Sequence, residues 1–351
     1  MKAARFNGPK DIEITDIPAP VLRPGTVMID IAWCGICGTD LHEYLEGPIF
    51  IPAKGHPHPL THEEEPVTMG HEFSGTVSAV GDGVTDITVG ENVVVEPYFV
   101  CGECAPCKSG RYNLCTKMGF IGLAGGGGGL SEQIVVERRW VHPVGDIPLD
   151  EAALIEPLSV GHHAYMRSGA KAGDVALVGG AGPIGLLLSA VLKAQGLTVI
   201  ISELSAARKA KALSTAVADH VLDPSKDDVV ACVLELTHGL GADVCFECSS
   251  VNAVLDQLLA AVKPGGVVVN VSIWSKPATI DMQALVLKEI DLRGTIAYVN
   301  DHPATIKLVQ EGKVVLAPFI TAKIPLDRLV DEGLDALIHH NETAVKILVH
   351  P

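Results

Sequence analysis

Aromatic residues are scarce in this chain, only 4% of 351 residues, with three Trp among them. That is too few for the stacking platforms that hold single-stranded nucleic acid. Basic residues are also in short supply: 26 Lys and Arg face 42 Asp and Glu, giving a net charge of −16. Such an acidic chain repels phosphate backbones and anionic lipid, which argues against nucleic-acid and membrane partners. Charged residues make up only 19% against 48% hydrophobic, which excludes a disordered chain. The N-terminus, Met1 to Phe6, carries no apolar signal core. The longest uncharged run, Val175 to Leu192, is broken by Gly179-Gly180-Ala181-Gly182-Pro183. It reads as a strand, a glycine turn and a buried helix rather than a membrane span. The nine cysteines are odd in number and four are clustered, unlike a secreted disulfide framework. Reduced thiols, some holding metal, place the expected compartment in the cytoplasm.

What is present falls into three stretches. Residues 1–157 read as short strands and loops, including Val27–Ala32, Gly75–Val80 and Asn92–Val95, and predict a mostly β domain. Two long irregular segments, Gly47–Pro66 and Cys101–Gly129, have the length of loops that hold metal or line a site. Residues 158–297 alternate strand and helix: Val175–Val178, a helix Ile184–Gln195, Thr198–Ser202, Ala242–Phe246 and Gly266–Asn270. This βαβ rhythm predicts a parallel sheet. Residues 298–351 add a helix from Pro303 to Gln310 and a closing strand Val345–Val349.

Three motifs carry chemistry. Cys101, Cys104, Cys107 and Cys115 lie within fifteen residues as C-x2-C-x2-C-x7-C. Four thiolates can close a tetrahedron around one zinc ion and leave no open position, so the site is structural. An iron–sulfur cluster has similar ligands, but the last gap is long and no proline follows Cys115. Gly180-Ala181-Gly182-Pro183-Ile184-Gly185 is G-x-G-x-x-G between a strand and a helix, with Glu203 18 residues beyond Gly185. Gly180 allows the tight turn, Gly182 lets backbone approach a pyrophosphate, and Gly185 allows close helix–strand packing. Glu203 would bind the ribose hydroxyls and repel a 2′-phosphate, favouring NAD over NADP. Arg208 is a nearby cation that could stack on adenine or soften that preference.

The third motif is dispersed: Cys34-Gly-Ile-Cys37-Gly-Thr39-Asp40-Leu-His42, Gly70-His71-Glu72, and Ile155-Glu156-Pro157. Cys34 and Cys37 also mimic a redox C-x-x-C, which would want Cys34 at a helix N-terminus with a depressed pKa. Thr39 and Asp40 also read as plain turn residues. His56, His58 and His62 beside Glu63-Glu64-Glu65 read as a solvated loop, and Cys245 and Cys248 as small core thiols.

The order Cys37, Gly-His71-Glu72, four-cysteine lobe, Glu156-Pro-Leu-Ser-Val, G-x-G-x-x-G resembles the zinc-dependent medium-chain alcohol and polyol dehydrogenases, over essentially the whole chain. The resemblance implies an α/β protein. A GroES-like, mostly β catalytic domain would come from both chain ends, with a Rossmann domain between them and the active site in the cleft. It implies two zinc ions per chain and NAD. The catalytic zinc would be held by Cys37, His71 and a carboxylate. Glu156 stands where alcohol dehydrogenases of the family place a second cysteine, which points to the sorbitol and butanediol branches; there the Glu of Gly-His-Glu can ligate instead. Glu72 and Glu156 both remain open here.

Segments such as Glu43–Pro52, Pro66–Gly75, Met118–Gly129 and Val271-Ser272-Ile273-Trp274 are similar to (R,R)-2,3-butanediol dehydrogenases. That similarity implies reversible oxidation of a vicinal diol to a hydroxyketone, cofactor contacts at Val271, Ser272 and Ile273, and a homodimer or homotetramer. A Lewis acid with one open position would favour loss of the hydroxyl proton, and a vicinal diol suits it because a second oxygen can interact nearby. Thr39 would accept the proton, which by resemblance passes through the nicotinamide ribose to His42 and solvent. Asp40 would orient His71 from behind. A sorbitol-type polyol dehydrogenase, or a zinc and nucleotide sensor without turnover, are the alternatives that substrate assays separate.

Overall fold

The computed structural model describes residues 1–339 and 344–351. Two compact units divide the chain. One comprises Met1–Glu156, His302–Gln310 and Val315–Pro351; the other comprises Pro157–Asp301 and Glu311–Val314. The first crossover adjoins the expected boundary at 157, and the second falls at 301/302, a few residues beyond the expected 297.

The first unit begins with β1 (Lys2–Gly8), β2 (Asp11–Asp16), β3 (Thr26–Gly35), β4 (Val67–Thr68), β5 (Glu72–Val80) and β6 (Asn92–Val95). It continues with β7 (Tyr98–Phe99), β8 (Gly119–Phe120), β9 (Gln133–Glu137) and β10 (Val141–Pro143). Its core strand, β3, is rich in β-branched residues and buried at Val27, Ile29 and Ile31. It pairs antiparallel with β5 on one side and β9 on the other. The long segment before β9 is not structureless as expected. Cys101–Gly129 contains the helix Ala105–Lys108, a 3-10 turn Tyr112–Leu114 and β8, which pairs antiparallel with β7 just before the segment.

The second unit holds β11 (Val175–Gly179), β12 (Thr198–Ser202), β13 (His220–Leu222), β14 (Ala242–Glu247), β15 (Val262–Asn270) and β16 (Asp291–Gly294). Among the described residues these form a parallel sheet in the order β13-β12-β11-β14-β15-β16. The order reverses between β11 and β14, which is where open α/β sheets bind ligands, at the carboxyl ends of the strands. β11 and β12 carry almost unbroken apolar runs because both sheet faces are covered. β15 starts four residues before the expected Gly266.

The chain then returns to the first unit through β17 (Ile320–Pro325) and β18 (Lys346–His350). β18 pairs parallel with β17 and antiparallel with the end of β3, completing a seven-stranded sheet among the described residues. The two ends of the chain thus build one sheet. The pattern is mixed α/β: a mostly antiparallel domain and a doubly wound parallel one.

Candidate active site

In the first unit, Cys37 is the residue before the helix Gly38–Glu46, in extended conformation. Its backbone N–H donates to Asp40 Oδ2 at 2.9 Å, a capping contact that fixes the first turn. The thiol is thereby presented at the helix entry, with Thr39 and Asp40 in that turn. Thr39 Oγ1 is 3.8 Å from Cys37 Sγ, and His42, three residues on along the same face, is exposed.

His71 and Glu72 come from the junction of β4 and β5. Gly70 precedes them at φ +96°, and its carbonyl lies against Gly122, where an added Cβ would stand 2.0 Å from Gly70 O. The glycine run beyond Gly122 is therefore a packing surface, with backbone bonds from Gly129 N to Gly70 O (2.8 Å) and Leu130 N to Met69 O (2.9 Å). These contacts fix the strand end from which His71 projects.

The ligating atoms of Cys37, His71 and Glu72 lie within 4.8 Å of one another. Tetrahedral zinc ligands at ~2.0–2.3 Å from the ion sit roughly 3.3–3.7 Å apart, so this donor set needs little movement to share one ion. His71 Nδ1 and Asp40 Oδ1 are buried without a hydrogen-bond partner and face each other at 3.6 Å. A histidine whose Nδ1 is directed at a carboxylate is the usual arrangement for a metal-bound imidazole. Burial alone would lower the His71 pKa; Asp40, Cys37 and Glu156 outweigh it and raise it well above the ordinary value. Burial raises Asp40. The donor set and its charge fit a divalent cation.

Glu156 stands outside that three-residue cluster, although its buried carboxylate contributes to the field on His71. Cys34 lies on β3, fully buried, with its thiol pushed well up by burial, Asp40 and Glu72. That is the reverse of a redox C-x-x-C. His56 and His62 are exposed and belong to no metal cluster among the described residues.

Two residues here were not read from the sequence. Lys346, on β18, is 3% exposed; its Nζ reaches both Glu72 oxygens at 2.8 and 2.6 Å and Ile36 O at 3.2 Å. Burial would lower its pKa, but Glu72, Cys37 and Glu156 raise it. The only sequence signal was one lysine inside an apolar strand. Glu43 is fully buried on the helix after Asp40, and its carboxylate accepts from the backbone N–H of Ile49, Phe50 and Ile51, anchoring the loop that follows.

The four-cysteine lobe is compact. The sulfurs of Cys101, Cys104, Cys107 and Cys115 lie within 4.8 Å of one another. Backbone N–H groups point at them: Cys101 N to Cys115 Sγ (3.3 Å), Cys104 N to Cys101 Sγ (3.4 Å) and Lys117 N to Cys115 Sγ (3.3 Å). Donors from Cys107 and Thr116 bring the Cys104 thiol down to about 6. Donors aimed at sulfur stabilise thiolate, the metal-binding form, so this donor set also fits zinc.

In the second unit, β11 leads into the glycine turn, and Gly182 is the extended residue just before the helix Pro183–Ala194. Gly180 has φ +100°, and a Cβ on Gly185 would stand 2.1 Å from Gly180 O, so the turn is closed on itself. Gly182 has open space where its side chain would be, and no side chain caps the helix. Pro183 at the first position has no N–H, and Ile184 and Gly185 supply the free donors of the first turn. An anion fits this cradle. Glu203, just beyond β12, holds the turn by accepting from Ala181 N (2.7 Å) and Ser205 N (2.8 Å). Arg208 is half-buried on the following helix; Val271 and Ser272 are half-buried beyond β15, and Ile273 is 51% exposed.

Comparison with known proteins agrees with this architecture. Residues 23–146 match the alcohol dehydrogenase GroES-like domain family and residues 183–311 the zinc-binding dehydrogenase family. The chain belongs to the zinc-binding alcohol dehydrogenases with a GroES-like domain, and is an oxidoreductase of that family. It is 66% identical over 352 residues to the (R,R)-butanediol dehydrogenase of Neisseria gonorrhoeae, covering 100% of this chain and 99% of the relative. It is 33% identical over 356 residues to the sorbitol dehydrogenase of Bacillus subtilis, covering 100% and 97%. The crystal structure of 2R,3R-butanediol dehydrogenase from Bacillus subtilis superposes with a TM-score of 0.93 at 48% identity, covering 100% and 99%.

Proposed function

We propose that this chain catalyses the reversible, NAD-linked oxidation of (R,R)-2,3-butanediol to acetoin. The carrying observation is the 66% identity to a butanediol dehydrogenase across the whole chain, against 33% to a sorbitol dehydrogenase.

Cys37, His71 and Glu72 would hold the catalytic zinc, with Asp40 orienting His71 and Lys346 balancing the charge of Glu72. A zinc ion there supplies Lewis acidity toward a hydroxyl oxygen. Glu156 acts on the site through its charge. Thr39 would accept the proton of the substrate hydroxyl while passing its own hydroxyl proton on toward His42, which is one helical turn away, exposed, and able to release it to solvent. General acid–base help of this kind is worth roughly 10²–10⁴-fold. The backbone of Gly180, Gly182, Pro183, Ile184 and Gly185 cradles the pyrophosphate. Glu203 accepts the ribose hydroxyls with the lone pairs left over from Ala181 and Ser205, and Arg208 flanks the adenosine side. Val271, Ser272 and Ile273 line the other end of the dinucleotide. NAD supplies the hydride acceptor. Cys101, Cys104, Cys107 and Cys115 hold the structural zinc.

No helix among the described residues is long and apolar enough to cross a membrane. We place the protein in the cytoplasm, because all nine cysteines are free and a four-thiolate site needs reduced thiols. The edge strand β16 pairs with β15 alone among the described residues, and Met282, Val286 and Leu287 beside it are 63–75% exposed. An unprotected parallel-sheet edge with apolar neighbours supports assembly as a homodimer or homotetramer.

The experiment is a stereochemically pure substrate panel. NADH formation with (R,R)-2,3-butanediol but not with sorbitol is the expected result. Turnover of sorbitol in preference to the diol supports the polyol alternative, and no turnover with any alcohol contradicts the proposal.

A further inference from the structure

The parallel sheet carries a second buried carboxylate at its carboxyl edge. Glu247 is the last residue of β14, is fully buried, and lies in register with Gly179 at the end of β11 and Asn270 at the end of β15. It therefore stands at the point where the strand order reverses, beside the glycine turn. Its Oε1 accepts from Ser249 N (2.7 Å), Ser249 Oγ (2.6 Å) and Ser250 N (2.9 Å), and its Oε2 accepts from Ser272 Oγ. Its backbone carbonyl accepts from Val271 N (2.9 Å) and Ser272 N (3.2 Å). One residue thus ties the loop after β14 to the loop after β15. The first of these loops packs against the glycine turn, since a Cβ on Gly180 would meet Ser249 Cβ at 3.3 Å. Ser250 is held at φ +54°, a conformation that persists only where its surroundings impose it.

The hydrogen bonds do not require the charge. A glutamine could accept the same three bonds at its carbonyl oxygen and donate to Ser272 Oγ. The donors of these bonds are backbone N–H groups and serine hydroxyls, none of them a cation, so nothing among these bonds offsets the formal charge of the carboxylate. Buried charge acts over longer range than solvated charge. The oxidised nicotinamide ring carries one positive charge that the reduced ring lacks.

We propose that Glu247 is a positioning residue for the dinucleotide, fixing both loops at the strand-order reversal and favouring the oxidised cofactor over the reduced one by its buried negative charge. The inference rests on the reading of this chain as an NAD enzyme.

The test uses the full-length, metal-loaded protein. NADH affinity is read by fluorescence titration and NAD⁺ affinity by calorimetry, for the native chain, Glu247→Gln and Glu247→Asp. In Glu247→Gln, NAD⁺ binding should weaken roughly fivefold relative to NADH. In Glu247→Asp, which keeps the charge and shortens the reach, both should weaken together and their ratio should hold. An unchanged ratio in Glu247→Gln overturns the proposal, as does an equal shift of the ratio in both variants. A Glu247→Gln chain that fails to fold overturns it too, since the bonding at this position would then need the charge. If the native chain binds neither dinucleotide, the NAD reading itself fails, an outcome that does not depend on either variant.

Discussion

At the scale of single residues, the candidate metal site is built from side chains that are remote in sequence and held by backbone contacts. Cys37 and His71 are 34 positions apart, yet a capped helix entry and a glycine-packed strand end bring their donor atoms together. The candidate ligands were legible in the sequence because thiols, imidazoles and carboxylates beside glycine are unusual enough to mark. Lys346 and Glu43 were not legible. A single lysine in an apolar strand and a glutamate in an acidic helix have no local signature, and only the fold shows that each is buried against a partner. Removing one ligand should separate metal chemistry from dinucleotide binding. We expect Cys37→Ala to lower kcat by on the order of 10³-fold or more while NADH affinity changes little. Steady-state kinetics beside a fluorescence titration check this, and a variant with near-native turnover would remove Cys37 from the site.

At the scale of elements, the legible parts were those whose pattern is local. β12 was read at its observed limits because Thr-Val-Ile-Ile-Ser is β-branched and bounded. The helix expected at Ile184–Gln195 was read one residue late at each end against the observed Pro183–Ala194, its start marked by glycine and proline. The hairpin β1–β2 was missed, since Lys-Ala-Ala-Arg-Phe-Asn-Gly does not alternate cleanly. The helix Ile155–Ser168 was missed because proline, glycine and two histidines hide its period; the proline is tolerated in the first turn. The cysteine lobe has little regular structure of its own. Aromatic packing roots it: Tyr98 meets Tyr112 at 5.5 Å and Trp140 at 5.9 Å, and Tyr112 donates to buried Glu96 at 2.6 Å. On the proposed reading, a lobe of this kind would rely on a bound ion to stay closed. Cys101→Ser should lower Tm by roughly 4–8 °C while native-level kcat persists below the melting range. Differential scanning calorimetry reads it, and an unmoved Tm would argue against a structural ion.

At the scale of the whole molecule, the family and the α/β class were legible because motif order along the chain is a global property: thiol, Gly-His-Glu, cysteine lobe, then glycine turn. The sheet that joins β3 to β18 was not legible, since strands more than 300 residues apart pair through their backbones, without any sequence mark. The net charge of −16 agrees with an enzyme of small molecules.

The claim on which the account turns is that a divalent metal at Cys37, His71 and Glu72 drives turnover. The most direct measurement is elemental analysis of active protein combined with timed chelation. The account predicts two zinc ions per chain and a loss of activity that follows release of the more accessible ion and is restored by added zinc. Full activity in metal-free protein would contradict it.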